Sequence, residues 1–117
     1  MALFVGTTTT EGAQTNVLLV QQMTPESSAY VDLVVLGIDT QSNSAQFDRV
    51  MRVKRTATAD PVIFDNPRNN EYRESGASGW LYTVTVVPTG FEIRATGVAG
   101  KTINWYAELN VTAVVVV

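Results

Sequence analysis

The sequence predicts an all-β fold, an antiparallel β-sandwich of jelly-roll-like type with seven or eight strands. Short segments rich in β-branched and aromatic residues, most of them alternating apolar with polar positions, recur at spacings of roughly 8 to 15 residues. Glycine and proline separate these segments, and no stretch repeats with a helical period. The 117 residues are enough for one domain with its own core.

The N-terminal segment is predicted to be extended. Ala2 to Val5 is apolar, and Gly6 and four threonines follow it. Consecutive β-branched residues favour an extended backbone over a helix. We therefore expect residues 1–13 to form an arm that pairs at a sheet edge or lies on a partner, with Phe4 as its candidate contact residue; a frayed terminus is the alternative. Residues 14–117 are expected to form a single sandwich domain.

Four strands are predicted in the first half of the domain. Asp32 indicates that one face of the second strand is at least partly exposed to solvent, because a carboxylate is seldom fully buried. Arg49 interrupts the apolar row of the third strand, which predicts either a bulge there or a strand that changes sheets. The four strands are residues 16–22, 30–38, 45–56 and 62–64.

The second half begins with a predicted loop and continues with two clear strands. Residues 68–79 are polar and contain two glycines, so they are expected to form an irregular loop. Residues 80–87 and 91–96 are strands. The Pro88-Thr89-Gly90 sequence between them predicts a three-residue hairpin loop with a left-handed Gly90.

The terminal stretch from Thr102 is the longest alternating run in the chain. Fully extended it would reach about 50 Å, well beyond an ordinary strand, so it must bend, cross between two sheets or run out of its own domain into a neighbour. Val114 and Val116 occupy the alternate positions that are polar earlier in this stretch. The chain end is therefore apolar on both faces, and we expect other protein surface to cover it. The apolar row itself comprises Ile103, Trp105, Ala107, Leu109, Val111, Ala113, Val115 and Val117.

The composition excludes several classes of function. The chain has no cysteine and no histidine, which removes the commonest general base, the commonest zinc ligand and every Ser-His or Cys-His pair. We predict no catalytic residue, no metal site and no cofactor. The formal net charge of -3 disfavours nucleic-acid binding. Neither a membrane-spanning helix nor a secretory signal is expected.

Two groups of residues are candidates for binding a partner. The basic cluster Arg49, Arg52, Lys54 and Arg55 would suit an acidic surface or phosphate. Alternatively, such residues occupy a sheet edge or outer face and block unwanted strand pairing. The predicted loop contributes Arg68, Tyr72 and Arg73, which suit a protein or a sugar, with Tyr72 as the anchor. A merely solvated loop is the alternative.

The two tryptophans have two interpretations. Trp80 and Trp105 would serve as stacking platforms for carbohydrate if they were exposed. Each lies on the apolar row of a strong strand, however, which favours a place in the core. Glu71 and Glu74 do not predict a hydrolase, because an acid-base pair needs two distinct environments on rigid elements.

Residues 90–107, GFEIRATGVAGKTINWYA, carry a resemblance. A strand closes in Thr-Gly, a small-residue turn follows with a second glycine and a lysine, and the last strand begins Thr-Ile-x-Trp. This segment resembles the end of small β-sandwich structural proteins of tailed bacteriophages.

The resemblance implies a noncatalytic virion component that is synthesised in the host cytoplasm. Capsid decoration (cement) proteins are one such class, and small head, neck and tail subunits are others. Such proteins are multimeric, often trimeric, and bind other virion proteins such as the major capsid protein. Self-assembly fits the apolar chain end and the extended arm. A carbohydrate-binding jelly-roll module of a phage tail or receptor-binding tip, using Tyr72, is the alternative function.

Overall fold

The computed structural model describes residues 2–116, with only the backbone described at Asn66 and Pro67. This part of the chain forms eight strands and one short 3-10 turn, so the predicted all-β class and strand number are confirmed. The strands are β1 (Ala2–Glu11), β2 (Thr15–Gln22), β3 (Ser27–Asp39), β4 (Ser44–Arg55), β5 (Val62–Arg73), β6 (Leu81–Val87), β7 (Gly90–Thr96) and β8 (Thr102–Val115).

The strands form two packed antiparallel sheets. The larger sheet has the order β1-β8-β3-β4-β5, and the smaller sheet has the order β2-β7-β6. The first strand pairs with the last, and the second pairs with the last but one. This nested pairing of the two ends of the chain gives the sandwich its jelly-roll-like character.

Side chains from both sheets fill the core between them. Trp80 and Trp105 are buried and meet edge to face with ring centroids 5.9 Å apart. Phe47 packs on Trp105 from β4, at a centroid distance of 6.5 Å. The prediction that both tryptophans lie in the core is therefore confirmed. The alternation of apolar and polar residues predicted this burial, because every second residue of a half-buried strand points inward.

Residues 68–79 are not the loop that the sequence predicts. Residues 62 to 73 form one strand, β5, which pairs with β4 along the edge of the larger sheet. The short 3-10 turn Ser75–Ala77 follows, and the side chain of Ala77 is buried. The prediction was wrong because local propensity disfavours Asn and Glu in strands, whereas pairing with β4 supplies the ladder that β5 needs.

The predicted irregularity near Arg49 is confirmed as a register shift. β3 and β4 pair without interruption through Arg49, but the β4–β5 register changes between Arg49 and Met51. β4 therefore remains in one sheet. Arg49 lies on the inward row, opposite Leu33, and its Nε donates to Asp65 Oδ1 at 2.8 Å.

The β6–β7 hairpin is tighter than predicted. Val87 pairs with Gly90, so the loop consists of Pro88 and Thr89 alone, and Gly90 is already part of β7. Its φ does not lie in the left-handed region. Glycine is needed there for space, because a Cβ at this position would collide with the main-chain carbonyl of Gln21 in β2.

β8 is the longest strand, and it stays in one sheet. It has 14 residues, of which Ile103 to Val115 pair with β3, and the molecule is 50 Å in its longest dimension. The strands of the smaller sheet have only seven or eight residues each. The strand therefore does not change sheets, and within the larger sheet it extends beyond the strands of the smaller sheet.

Candidate partner-binding surface

The end of β8 is the most exposed apolar segment of the described chain. Val114 and Val116 each expose 69% of their surface. Ala113 and Val115 lie on the row that is buried from Ile103 to Leu109, yet both are exposed. The smaller sheet therefore does not cover this end of β8, and the strand is open on both faces.

The start of β1 lies beside this segment and adds to it. Ala2 pairs with Val111, and Leu3 and Val5 expose 59% and 56% of their surface. Phe4 points to the other face and is also exposed. The sequence reasoning chose Phe4 and missed Leu3 and Val5, although three consecutive apolar residues in a strand place apolar groups on both faces. We call Leu3, Phe4, Val5, Val114 and Val116 the apolar end.

The basic cluster is divided between two faces of β4. The pairing with β3 places Arg49 and Arg55 on the inward row and Arg52 and Lys54 on the outer face. Arg49 is paired with Asp65, and Arg55 donates to the main-chain oxygen of Met23. Only Arg52 and Lys54 thus remain as an outward basic pair. The sequence already indicated this division, because Arg49 and Arg55 have odd numbers, Arg52 and Lys54 have even numbers, and alternate residues of a strand face opposite sides.

Arg68 and Arg73 are held by contacts within the chain. Arg68 Nη2 lies 2.6 Å from Asp32 Oδ1, and Arg68 Nε lies 3.4 Å from Asp48 Oδ1. This hydrogen-bonded pairing with Asp32 raises the pKa of Arg68. Arg73 Nε donates to the main-chain oxygen of Trp80 at 2.8 Å. Both arginines therefore tie the edge strand β5 to its neighbours.

Tyr72 is exposed on the outer face of β5, beside a wide depression with a volume of about 920 Å³. Its neighbours across the sheet form one row through Gln46, Leu36 and Tyr106. Sequence reasoning missed Leu36, Ile38 and Tyr106, although the outward row of β3 turns apolar after Asp32. The full lining is Leu36, Gly37, Ile38, Ser44, Ala45, Gln46, Glu71, Tyr72, Arg73, Glu74, Asn104, Trp105 and Tyr106.

The titratable groups serve structural purposes. Asp39 Oδ1 accepts from the backbone N–H groups of Gln41 and Asn43, at 2.8 and 2.9 Å. Burial raises the pKa of Asp39, but hydrogen bonds from Asn43, Gln41 and Lys101 outweigh it and leave the pKa below its ordinary value. Tyr106 donates to Glu108 at 2.8 Å, which raises the pKa of the phenol.

Residues 2–116 contain no cluster of three or more acidic, histidine or cysteine side chains that would hold a metal ion. In the same part of the chain, no helix is long and apolar enough to cross a membrane.

Comparisons with known proteins give two distant structural similarities. No family model and no curated protein matches the sequence. The chain is similar to part of the Acinetobacter phage vB_ApiP_P1 tailspike protein, with 16% identity over 95% of this chain and 21% of that one, and a TM-score of 0.45. It is also similar to part of a tailspike protein, gp49, from Acinetobacter baumannii bacteriophage Fri1, a capsular polysaccharide depolymerase. There the identity is 11% over 96% of this chain and 20% of that one, with a TM-score of 0.36. The chain thus spans about one fifth of either protein.

Proposed function

We propose that this chain is a noncatalytic structural subunit of a bacteriophage virion that assembles with copies of itself and with other virion proteins. A capsid decoration protein that binds the major capsid protein is the specific role we propose. The apolar end is the observation that carries the assembly part of this proposal. Its five side chains are exposed near the point where β1 begins and β8 ends, with Leu3, Val5, Val114 and Val116 on the outer face of the larger sheet and Phe4 on the opposite face.

The physical reason for assembly is the cost of leaving apolar surface in water. Fully burying a valine, leucine or phenylalanine side chain is worth about 1.5 to 3 kcal/mol. Five such side chains at one end of the molecule therefore favour a contact that covers them. Clustered exposed apolar residues of this kind mark interaction sites in soluble proteins.

The phage part of the proposal comes from the resemblance of residues 90–107. In the structure these residues form β7, the turn after it and the first half of β8. Both strands are central in their sheets. The resemblance therefore lies in the scaffold of the sandwich, and the partner-binding surface is argued separately from exposure.

Two measurements test this function. Native mass spectrometry of the purified chain should show an oligomer. Co-sedimentation with capsids lacking the protein, from the phage that encodes it, should show binding. The doubly substituted variant Val114→Asp/Val116→Asp should lose self-association, whereas Thr83→Asp, on the outer face of the smaller sheet, should keep it. A wild-type chain that is monomeric and binds no capsid or tail particle would overturn the proposal.

A carbohydrate-binding module is the second candidate, and the depression beside Tyr72 is what favours it. Tyr72 exposes 58% of its surface, and carboxylate and amide groups from Glu71, Glu74 and Asn104 line the same depression. Neither Trp80 nor Trp105 is available as a stacking platform, because both are buried. Calorimetric titration with bacterial capsular oligosaccharides, repeated with Tyr72→Ala, separates this candidate from the first. Binding that Tyr72→Ala abolishes would support it.

A further inference from the structure

We infer that two copies of this chain pack the outer faces of their larger sheets against each other across a two-fold axis. The outer face bears the even-numbered residues of β3, because Val31, Leu33 and Val35 point into the core. The contact would produce the self-assembly proposed above, on which this inference rests.

The outer face of the larger sheet carries most of the large apolar side chains that the described chain leaves exposed. Six of them are not part of the apolar end: Tyr30, Leu36, Ile38, Val62, Phe64 and Tyr72. The outer face of the smaller sheet differs, because its central strand β7 carries the ion pair of Arg94 and Glu92. Exposed apolar residues gathered on one face of a domain favour a contact through that face.

This face is large enough for a stable dimer. Its five strands lie about 4.8 Å apart, and some ten residues separate its two ends, so it measures roughly 20 Å by 35 Å. A standard interface buries about 800 Å² on each partner, which is close to the area of this face. Sheets that pack face to face keep their strands within about 30° of each other, so most of the face can be covered.

The charges on this face differ between its two ends. Arg52 and Lys54 lie where β3 begins, and neither forms a salt bridge within residues 2–116. Glu74 lies at the opposite end, where it accepts hydrogen bonds from the backbone N–H and the hydroxyl of Ser44. It forms no salt bridge in the same part of the chain.

A second copy is the occupant that fits this distribution, because a two-fold contact needs a surface that is complementary to itself. A two-fold axis that runs across the strands turns one copy end for end. It therefore brings Lys54 of each copy over Glu74 of the other, and opposite charges meet at both ends of the contact.

The middle of the face also suits this contact. The axis would pass at the level of Leu33, the midpoint of β3. Near that level Arg68 pairs with Asp32 and Asp48 of its own chain, so these charges are already compensated when the contact removes water. The contact also covers the depression beside Tyr72, so it belongs with the structural function and competes with carbohydrate binding.

Reversing the charges of Lys54 and Glu74 tests this contact. Lys54→Glu and Glu74→Lys should each raise the dissociation constant of the dimer by at least about tenfold, because each variant turns two attractive contacts into repulsive ones. An equimolar mixture of the two variants should recover the wild-type constant, because both contacts of the mixed dimer again join opposite charges. Analytical ultracentrifugation measures the constants, and native mass spectrometry with one variant isotopically labelled identifies the mixed dimer.

The mixture also controls for folding, because variants that had failed to fold would not recover association on mixing. Thr83→Glu adds a charge to the outer face of the smaller sheet, away from the contact, and should associate as the wild type does.

The outcomes separate this inference from the proposed function. If the single variants associate like the wild type, or if their mixture does not recover, this contact is wrong, and self-assembly through another surface still stands. If the wild type is monomeric at all concentrations, both the contact and the proposed self-assembly fail.

Discussion

The indole Nε1 of Trp105 in β8 donates a hydrogen bond of 2.9 Å to the hydroxyl of Thr10 in β1. Both residues are buried, and they are 95 positions apart in the chain. This contact ties the first strand to the last, and it satisfies a polar group that would otherwise be alone in the core.

Replacing Thr10 with valine should therefore destabilise the fold. Valine has nearly the same shape but no hydroxyl, so the indole N–H of Trp105 would be left without an acceptor. We expect the free energy of unfolding to fall by about 1 to 3 kcal/mol. Urea denaturation of Thr10→Val and of the hydroxyl-preserving Thr10→Ser checks this. Equal losses in the two variants would show that the hydrogen bond contributes nothing.

Trp105 itself should be among the costliest side chains to remove. It is buried against Trp80 and Phe47, so Trp105→Ala leaves a large cavity. We expect a loss of about 3 to 5 kcal/mol. Tyr72→Ala removes an exposed aromatic side chain and is the control, with little expected change in the thermal midpoint. A small effect of Trp105→Ala would contradict the core described above.

Arg73 should contribute to folding more than to binding. Its guanidinium donates to the Trp80 carbonyl and lies 5.0 Å from the ring centroid of Phe47. Arg73→Ala should lower the free energy of unfolding by about 1.5 to 3 kcal/mol, the range for a hydrogen bond to a charged group. Arg52, which stacks on Phe64 at 4.3 Å on the outer face, is the comparison. Arg52→Ala should leave the urea midpoint nearly unchanged.

Asp39 should make the stability of the fold sensitive to acid. Its pKa in the folded chain lies below the ordinary value of 3.8. A group with a lowered folded pKa stabilises the fold above its unfolded pKa, and this contribution is lost as the pH falls through the folded value. Asp39→Asn should thus be less stable than the wild type at neutral pH, and the gap should close below the folded pKa. Urea midpoints across this pH range measure it. A gap that is constant with pH would exclude a contribution from the carboxylate charge.

The alternating rows were predictable from sequence because they are local. Val31, Leu33 and Val35 on β3, and Ile103 to Leu109 on β8, are buried as the period of two requires. The register shift near Arg49 was predictable for the same reason, since a charged residue broke an apolar row.

β5 was not predictable, because the residues that make it a strand are distant in the sequence. Asn69, Asn70 and Glu71 have low strand propensity, and they are extended because β4 pairs with them. Asp32 then accepts a hydrogen bond from Arg68 across the sheet, and Asp48 forms an ion pair with the same guanidinium. Such partners come together only when the chain has folded.

The sequence by itself determined the all-β class, the buried rows and the fact that the chain end is apolar on both faces, because each depends on the pattern of neighbouring residues. Only the tertiary structure decided which side chains pack against one another. It placed Arg49 and Arg52 on opposite faces and turned the predicted loop into an edge strand. These outcomes depend on strand order and register, which are set by contacts between distant segments.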